Sequence, residues 1–236
     1  MIWRSLICFS LLATASARAA TVSGSIELRE SHIDAVSRHR DFSGVVISLE
    51  DITHPAASIA EKHAVMLQKN KMFMPHVLPV LAGTKIDFPN EDPIFHNAFS
   101  TYSGQIFDIG LYPPGTSRTV RFQRPGIVRV FCNIHPTMSA IILVLSTPFF
   151  TTTPHDGSFH LDVPPGTYDL SVFHERATEQ TLQALGRRIV VSAEGLRLPP
   201  IVVSEAGYLV APHKNKYGHD YAPPPDDKTF YPGSRE

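Results

Sequence analysis

Short apolar runs separated by proline and glycine are the feature that most constrains how this chain can fold. Twenty prolines and fourteen glycines divide the 236 residues into segments rich in valine, isoleucine, phenylalanine and threonine. No long stretch repeats apolar residues at the 3.6-residue period of an amphipathic helix. Prolines interrupt helices, whereas strands of four to eight residues fit between such breaks. The sequence therefore predicts an all-β fold.

The apolar runs can be assigned to about a dozen strands, which is enough for two small β-sandwiches rather than one. Short helical turns are predicted only near Ala56–Lys62 and Thr178–Leu185. The candidate strands are Val22–Leu28, Gly44–Glu50, His63–Gln68, Val77–Leu81, Thr84–Phe88, Arg118–Phe122, Ile127–Phe131, Ala140–Leu145, Ser158–Val163, Tyr168–Phe173 and Arg188–Val191.

The N-terminal segment has the pattern of an export signal. A basic residue, Arg4, precedes the apolar run Leu6–Ala15, and Ala17-Arg18-Ala19 resembles a cleavage signal. We expect residues 1–19 to be removed and the mature protein to reside in the periplasm. No later stretch approaches the roughly 20 apolar residues that a membrane-spanning helix needs. Removal of the signal would take Cys8 away and leave Cys132 without a disulfide partner.

The charge of the chain excludes one class of partner. The formal net charge is −1, and lysine and arginine form no dense cluster. Nucleic-acid binding and attachment to an anionic membrane surface both depend on concentrated positive charge. We therefore predict no nucleic-acid partner. The pattern does not indicate an oligomeric state.

The segment FCNIHPTM, residues 131–138, places three soft or borderline metal ligands close together: Cys132, His135 and Met138. A lone cysteine can also be a buried apolar residue or form an intermolecular bridge. Blue-copper sites, however, use two histidines, one cysteine and a weak axial methionine. His96, in the segment NEDPIFHNAFS, is the best candidate for the second histidine. Zinc fits this set poorly because a thioether is a weak zinc ligand, and the chain lacks the H-x-H pairs of a multicopper oxidase.

The same residues resemble a known family. C-x-x-H-x-x-M with a proline after the histidine resembles the ligand loop of amicyanin, a plastocyanin-like cupredoxin. The upstream segment MPHVLPVLAGTKIDFPNEDPIFHNAFS is similar to the part of plastocyanin-like domains that carries the first histidine. The resemblance covers roughly residues 65–146. The whole chain resembles the bacterial exported proteins often labelled methylamine utilisation proteins, although nothing in it indicates methylamine as a substrate.

The resemblance implies a cupredoxin Greek-key sandwich with one type 1 copper ion. His96, Cys132 and His135 would be the strong ligands and Met138 the long axial ligand. Asn97 would tie the two ligand loops together by hydrogen bonds, and Pro136 would stiffen the second loop. The other histidines, including His213 and His219 near the C-terminus, are not predicted to be ligands of this site.

The segment DGSFHLDVPPGTYDLSVFH resembles a prealbumin-like sandwich of the carboxypeptidase regulatory type. The opening strands of such a sandwich are supplied by Val22–Leu28 and Gly44–Leu49, far upstream. We therefore expect the cupredoxin unit to be inserted in an outer sandwich, although two sandwiches in series is an alternative. The expected boundaries are 20–62 and 148–206 for the outer sandwich, 63–147 for the cupredoxin unit, and 207–236 for a proline-rich tail that is extended or disordered.

A one-electron carrier is the function that this site would support, and we predict no enzymatic activity. Electrons would pass through the exposed edge of His135, where a redox partner protein would dock. We expect apolar residues around that edge, namely Pro93, Ile94, Pro136 and Ala98.

Copper handling, as a chaperone or a store, is the alternative function. Met66, Met72 and Met74 form a small methionine cluster just before the copper segment. Exposed methionines would favour copper delivery, whereas packing in a core or at a sheet edge is the simpler interpretation.

Overall fold

The computed structural model describes residues 19–53, 62–101, 104–209 and 213–221. The predicted signal peptide up to residue 18, the helical turn at 56–61 and the tail beyond residue 221 lie outside the described residues. Strands are far more abundant than helices in the described chain, so the predicted all-β sandwich fold is confirmed. No helix in these ranges is both long and apolar enough to cross a bilayer.

Two short helices and eighteen strands occur within the described ranges. In chain order the elements are β1 (Ala20–Arg29), α1 (Asp34–Ser37), β2 (Val46–Asp51), β3 (His63–Val65), β4 (Leu67–Lys69), β5 (Met72–Met74), β6 (Val77–Leu81), β7 (Thr84–Pro89), β8 (Phe99–Ser100), β9 (Phe107–Asp108), β10 (Ser117–Phe122), β11 (Gly126–Phe131), β12 (Ser139–Leu145), β13 (Phe150–Thr152), β14 (Ser158–Val163), β15 (Gly166–Phe173), α2 (Glu179–Leu185), β16 (Arg187–Val191), β17 (Leu196–Arg197) and β18 (Ile201–Ser204).

The first and last strands of the chain form one unit, which we call the outer sandwich. Strand β1 pairs antiparallel with β14 and parallel with β17 and β18. A second sheet has the order β13-β2-β15-β16 and is antiparallel throughout. Buried residues of both sheets, such as Val22, Ile47 and Leu170, form a shared apolar core.

Strands β3 to β12 pair only with one another among the described strands and form the inner sandwich. One sheet has the order β6-β12-β11-β8-β9, and the other has the order β10-β7-β3. Their common core includes Phe88 from β7, Val130 from β11 and Ile142 from β12. Cys132 and Met138 belong to the same buried cluster, so the predicted ligand loop lies against this core.

Alternating burial explains why most strands could be predicted. In β14 and β7 every second residue is buried, as expected for strands with one face on a core. The bounds of β6 and β14 agree with the prediction at both ends, and several other strands differ by one or two residues. The helical turn predicted at Thr178–Leu185 is also present, as α2, with the Thr178 hydroxyl capping its first turn.

The predicted strand His63–Gln68 is wrong in one respect, because the chain breaks it into two. Strand β3 pairs with β7, whereas β4 turns back on β5 as a hairpin. The turn residues Asn70 and Lys71 both have positive φ, of 55° and 54°. Two such residues make a type I′ turn, which usually carries glycine at its second position. Because Lys71 stands at that second position instead of glycine, the hairpin could not be predicted from the sequence.

A buried carboxylate, Glu205, joins separate segments of the outer sandwich. One of its oxygens accepts hydrogen bonds from His174 Nε2 at 2.8 Å and from Arg176 at 3.0 Å, and the other accepts from the Ser31 hydroxyl at 2.6 Å. Burial acts to raise the pKa of Glu205, but the hydrogen bonds from His174, Arg176 and Ser31 outweigh it and lower that pKa to about 2.

Candidate metal centre

The first ligand loop places His96 inside the inner sandwich. Strand β7 ends at Pro89, and the chain passes through a loop before it pairs with Tyr112 across an isolated bridge. The backbone N–H of His96 donates to Tyr112 O at 3.2 Å, and Tyr112 N–H donates back to His96 O at 2.9 Å. Both side chains are fully buried. The imidazole of His96 is therefore fixed from both the backbone and the core.

The second ligand loop connects the antiparallel strands β11 and β12. It runs from Cys132 to Met138, directly after Phe131 at the end of β11. Cys132 N–H donates to Met138 O at 3.2 Å, and Met138 N–H donates to His135 O at 3.1 Å. These two bonds fold the loop tightly, so that the side chains of Cys132 and His135 point to the same place.

Three of the four predicted ligands come together at these loops. The Sγ atom of Cys132 lies 3.8 Å from His96 Nδ1 and 3.5 Å from His135 Nδ1, and all three donor atoms lie within 4.8 Å of one another. A nitrogen and a sulfur bound to one ion, at roughly 2.0 and 2.3 Å, are separated by about 3.5–3.7 Å at tetrahedral or trigonal angles. One thiolate and two imidazoles also suit copper chemically. The donor set therefore fits a copper ion.

Asp92 controls the orientation of His96, and the sequence analysis did not identify it. His96 Nε2 lies 2.6 Å from Asp92 Oδ2, and both side chains are buried. A carboxylate oxygen accepts, so Nε2 carries the proton and Nδ1 presents its lone pair to Cys132. Asp92 also accepts the backbone N–H groups of Asn70 at 2.6 Å and Lys71 at 2.9 Å. The tip of the β4–β5 hairpin thus positions the carboxylate that positions His96.

Burial changes the acid–base properties of the two buried predicted ligands, His96 and Cys132. It lowers the pKa of His96, although the hydrogen bond to Asp92 acts in the opposite direction. Burial likewise raises the pKa of the Cys132 thiol, while the backbone N–H groups of Ile134, Asn97 and His135 oppose that shift. Those N–H groups are hydrogen-bond donors for a sulfur that carries negative charge. The site is therefore apolar, yet it contains donors suited to a thiolate.

Asn97 lies between the two ligand loops. Its Oδ1 accepts the backbone N–H of Asn133 at 3.2 Å, and its Nδ2 donates to Asp108 Oδ1 at 2.7 Å. Its side chain is almost completely buried. Asn97, next to His96, thus holds Asn133, the residue that follows Cys132.

Met138 and Pro136 occupy the end of the second loop. The Met138 side chain is fully buried in the inner core, and its role as an axial ligand stays a prediction. Pro136 is exposed. Of the apolar residues expected around His135, Pro93 is exposed and Ile94 half-buried, but Ala98 is fully buried.

The expectation for Ala98 is wrong because its side chain faces the inner core. Phe95 and Ile134, which directly precede His96 and His135, are instead 49% and 45% exposed. They lie next to His96 and His135 in sequence, so the exposed apolar surface near the ligand loops includes a phenylalanine and an isoleucine that the sequence analysis did not identify.

The chain matches no protein-family model and no curated protein. Solved structures similar to part of it include a purple cupredoxin from Nitrosopumilus maritimus, with 21% identity over 35% of this chain and 99% of that chain, at a TM-score of 0.33. A variant of amicyanin in its reduced form is 15% identical over 42% of this chain and 98% of that chain, with a TM-score of 0.34. A copper-containing nitrite reductase from Thermus scotoductus is 24% identical over 40% of this chain and 25% of the reductase chain, with a TM-score of 0.35.

Proposed function

We propose that the chain is a periplasmic electron carrier with one type 1 copper site in its inner sandwich. His96, Cys132 and His135 would hold the ion, and Met138 would approach it as the axial ligand. Copper bound there would supply a one-electron Cu(I)/Cu(II) couple. The observation that carries the proposal is the group of three donor atoms, two of them on fully buried side chains, with nitrogen–sulfur separations of 3.5 and 3.8 Å.

The burial of this group favours electron transfer over substrate chemistry. His96, Cys132 and Met138 are fully buried, and His135 is half-buried. Catalytic metal sites keep one position open to a substrate or water. Among the three donors only the His135 imidazole is partly exposed, and this arrangement suits electron exchange because the electron needs proximity and no substrate has to enter.

The residues around the ligands would keep the site rigid. Asp92 fixes the His96 ring through Nε2, and Asn97 joins the two ligand loops. Such hydrogen bonds orient ligands and set the properties of the metal they hold. A fixed geometry keeps the reorganisation small when the charge of the ion changes.

A redox partner protein would dock at the exposed apolar surface beside His135. Phe95, Ile134, Pro93 and Pro136 supply that surface. Apolar patches of this kind, close to a buried centre, permit brief contacts without strong charge pairing. The partner itself would be another electron-transfer protein of the same compartment.

The domain boundaries and the export signal also remain proposals. The pairing of β1 and β2 with β13 to β18 supports a cupredoxin unit, residues 63–147, inserted in an outer sandwich formed by 20–62 and 148–206. We assign the outer sandwich to the carboxypeptidase regulatory type, with a structural or docking role. The chain as a whole would belong to the exported proteins labelled methylamine utilisation proteins.

Visible absorption and electron paramagnetic resonance test the copper site directly. Mature protein loaded with Cu(II) should show an intense blue thiolate-to-copper band with a narrow copper hyperfine splitting. Cys132→Ser should abolish both signals, whereas His160→Gln, at an exposed position of β14, should leave them unchanged. A pale, ordinary copper spectrum that survives the Cys132 change would refute the ligand assignment.

Copper handling remains the second candidate because Met74 is 41% exposed and Met72 is half-buried on strand β5. The third methionine of that cluster, Met66, is fully buried in the inner core and is not accessible as a ligand. Reversible bleaching by a mild reductant, with the copper retained, is the result expected of a carrier. Loss of Cu(I) to a weak chelator within seconds would instead favour delivery.

A further inference from the structure

The C-terminal residues 213–221, which we call the tail segment, form a compact turn rather than a simple extended chain. Asn215 N–H donates to His219 O, and Gly218 N–H donates back to Asn215 O, both at 2.9 Å. The Asn215 side chain accepts two further backbone N–H groups, those of Tyr217 and His219. The segment thus has its own internal hydrogen bonds and can present side chains in fixed directions.

The tail segment lies on the Cys132 loop. The Tyr221 hydroxyl donates to the carbonyl of Cys132 at 2.9 Å, and it also lies 3.1 Å from His213 Nδ1. His213 Nε2 donates to the carbonyl of Pro136 at 2.8 Å. The His213 ring stacks on Phe131, with a centroid separation of 3.9 Å and an interplanar angle of 26°. Both sides of the ligand loop are therefore held from outside.

A second set of bonds joins the tail segment directly to the Cys132 loop and, through Asp108 of β9, to Asn97 beside His96. Lys216 N–H donates to Asn133 Oδ1 at 3.0 Å, and Lys216 Nζ donates to Asp108 Oδ2 at 2.7 Å. The other oxygen of Asp108 accepts from Asn97, and Asn97 accepts from the backbone of Asn133. Lys216, Asp108, Asn97 and Asn133 thus form a closed ring of hydrogen bonds that includes one residue from each ligand loop.

The ligand loop needs such support because much of it is exposed. Ile134, Pro136 and Thr137 are exposed, and Asn133 and His135 are half-buried. A loop with few contacts of its own opens readily. Metal binding to such a loop must then also supply the free energy that orders it. External bonds that fix the loop beforehand reduce that cost and hold the ligands in position.

We propose that the tail segment is a positioning element of the metal site, which holds the Cys132–Met138 loop in its ligating form through Tyr221, His213 and Lys216. The inference rests on the proposed copper function for its purpose, but the contact itself can be tested without metal. The observation behind it is that two side chains and one backbone N–H of the tail segment donate hydrogen bonds to Cys132, Asn133 and Pro136 of this loop.

Two truncations of the full mature chain test the proposal. One ends after residue 212 and removes the tail segment; the matched control ends after Tyr221 and retains it. In metal-free protein, the rate at which an aromatic disulfide reagent modifies Cys132 reports loop opening. Loss of the three hydrogen bonds to the loop, together with the bond from Lys216 to Asp108, should speed this reaction by about 10- to 100-fold in the shorter chain only. Equal rates in the two truncations, within twofold, would overturn the proposal.

Metal binding provides the second measurement. The shorter chain should bind Co(II), used as a spectroscopic probe, at least about tenfold more weakly than the control truncation. Unchanged Co(II) affinity combined with faster electron self-exchange of the copper form would mean that the tail segment only covers the site, which also overturns the proposal. If even the full chain gives no thiolate–metal band, the copper function fails while the thiol experiment still decides the contact.

A single-atom change separates positioning from general stabilisation. Tyr221→Phe removes the hydroxyl that donates to Cys132 O, and Tyr217→Phe removes a hydroxyl from an exposed ring of the same segment. We expect Tyr221→Phe alone to shift the thiolate-to-copper band and the reduction potential, with the melting temperature of both variants unchanged. Identical spectra and potentials for the two variants would contradict the role assigned to Tyr221.

Discussion

Asp92→Asn is the most informative change because the side chain keeps its size while one acceptor becomes a donor. Asp92 Oδ1 accepts from Asn70 N–H, and Oδ2 accepts from both Lys71 N–H and His96 Nε2. An asparagine oxygen can replace only one of these oxygens. Its amide NH2 would face Asn70 N–H at the Oδ1 position, or Lys71 N–H and His96 Nε2 at the Oδ2 position, and either arrangement is a conflict between donors.

The imidazole can relieve this conflict by moving its proton. If the new amide donates to Nε2, the proton of His96 must sit on Nδ1, the atom that faces Cys132 Sγ at 3.8 Å. A protonated Nδ1 has no lone pair for a metal. Loss of such a supporting hydrogen bond typically costs 10- to 100-fold in metal affinity, which is about 1.4–2.7 kcal/mol. The backbone N–H that loses its acceptor, that of Lys71 or Asn70, should lower the free energy of unfolding by about 1–3 kcal/mol more.

Two measurements follow the effect separately. Competition with a chelator gives the Co(II) and Cu(I) affinities of the full mature chain, and nitrogen-15 shifts of the imidazole give the His96 tautomer in metal-free protein. Glu91→Gln is the matched control, since Glu91 is exposed and its carboxylate pairs with Lys69 at the surface. Affinity within twofold of the parent together with a proton still on Nε2 would show that Asp92 does not set the tautomer.

Three further changes test the core, the buried carboxylate and a turn. Met138→Leu should raise the reduction potential, because the thioether stabilises Cu(II) more than an alkyl group does, whereas Met66→Leu, equally buried in the same core, should not change it in voltammetry. Glu205→Gln should lower the free energy of unfolding by about 3 kcal/mol at pH 7, since the pKa of Glu205 falls from 4.5 to about 2 on folding. That contribution is present above pH 4.5 and is lost as the pH falls toward 2. In urea titrations of metal-free protein, the free energies of unfolding of the parent and of Glu205→Gln should therefore converge at low pH. A difference between them that does not depend on pH would contradict this. Gly157→Ala should lower the melting temperature strongly, because φ is +73° and a Cβ would lie 2.3 Å from Ile26 O; an unchanged melting temperature would show that the turn can relax.

The sequence predicted those parts of the fold that depend on local patterns. Strands such as β14 bury every second residue, and turn residues such as Asp156 and Gly157 mark their ends. The two-residue strands β8 and β9 were missed because they are too short to show a period. The β4–β5 hairpin was missed because Lys71 adopts a positive φ that usually marks glycine.

The candidate site divides in the same way. Cys132, His135 and His96 could be identified from residue type and spacing, since copper requires that set of donors. Asp92 could have been suspected only from its place four residues before His96 in a loop, where no periodicity indicates a contact. Ala98 was misplaced because the face of a residue next to a ligand depends on how the loop enters the sheet. The contact of the tail segment with the Cys132 loop depends on chain folding over long distances, and composition alone indicated an extended tail.

The strand pairing also implies an order in which the two sandwiches can fold. Strand β1 precedes all the other described strands in the chain, but Ala20 pairs with Val163 of β14 and Ile26 with Ile201 of β18, so its pairing needs long loop closures. Strands β3 to β12 find their partners within one continuous stretch, so their loop closures are shorter and faster. The ligand pocket can therefore form while the first strand is still unpaired. The tail segment follows β18 in the chain, and its bonds to Pro136 and Cys132 span 77 and 89 residues, so the ligand loop would gain this support after its own strands have paired.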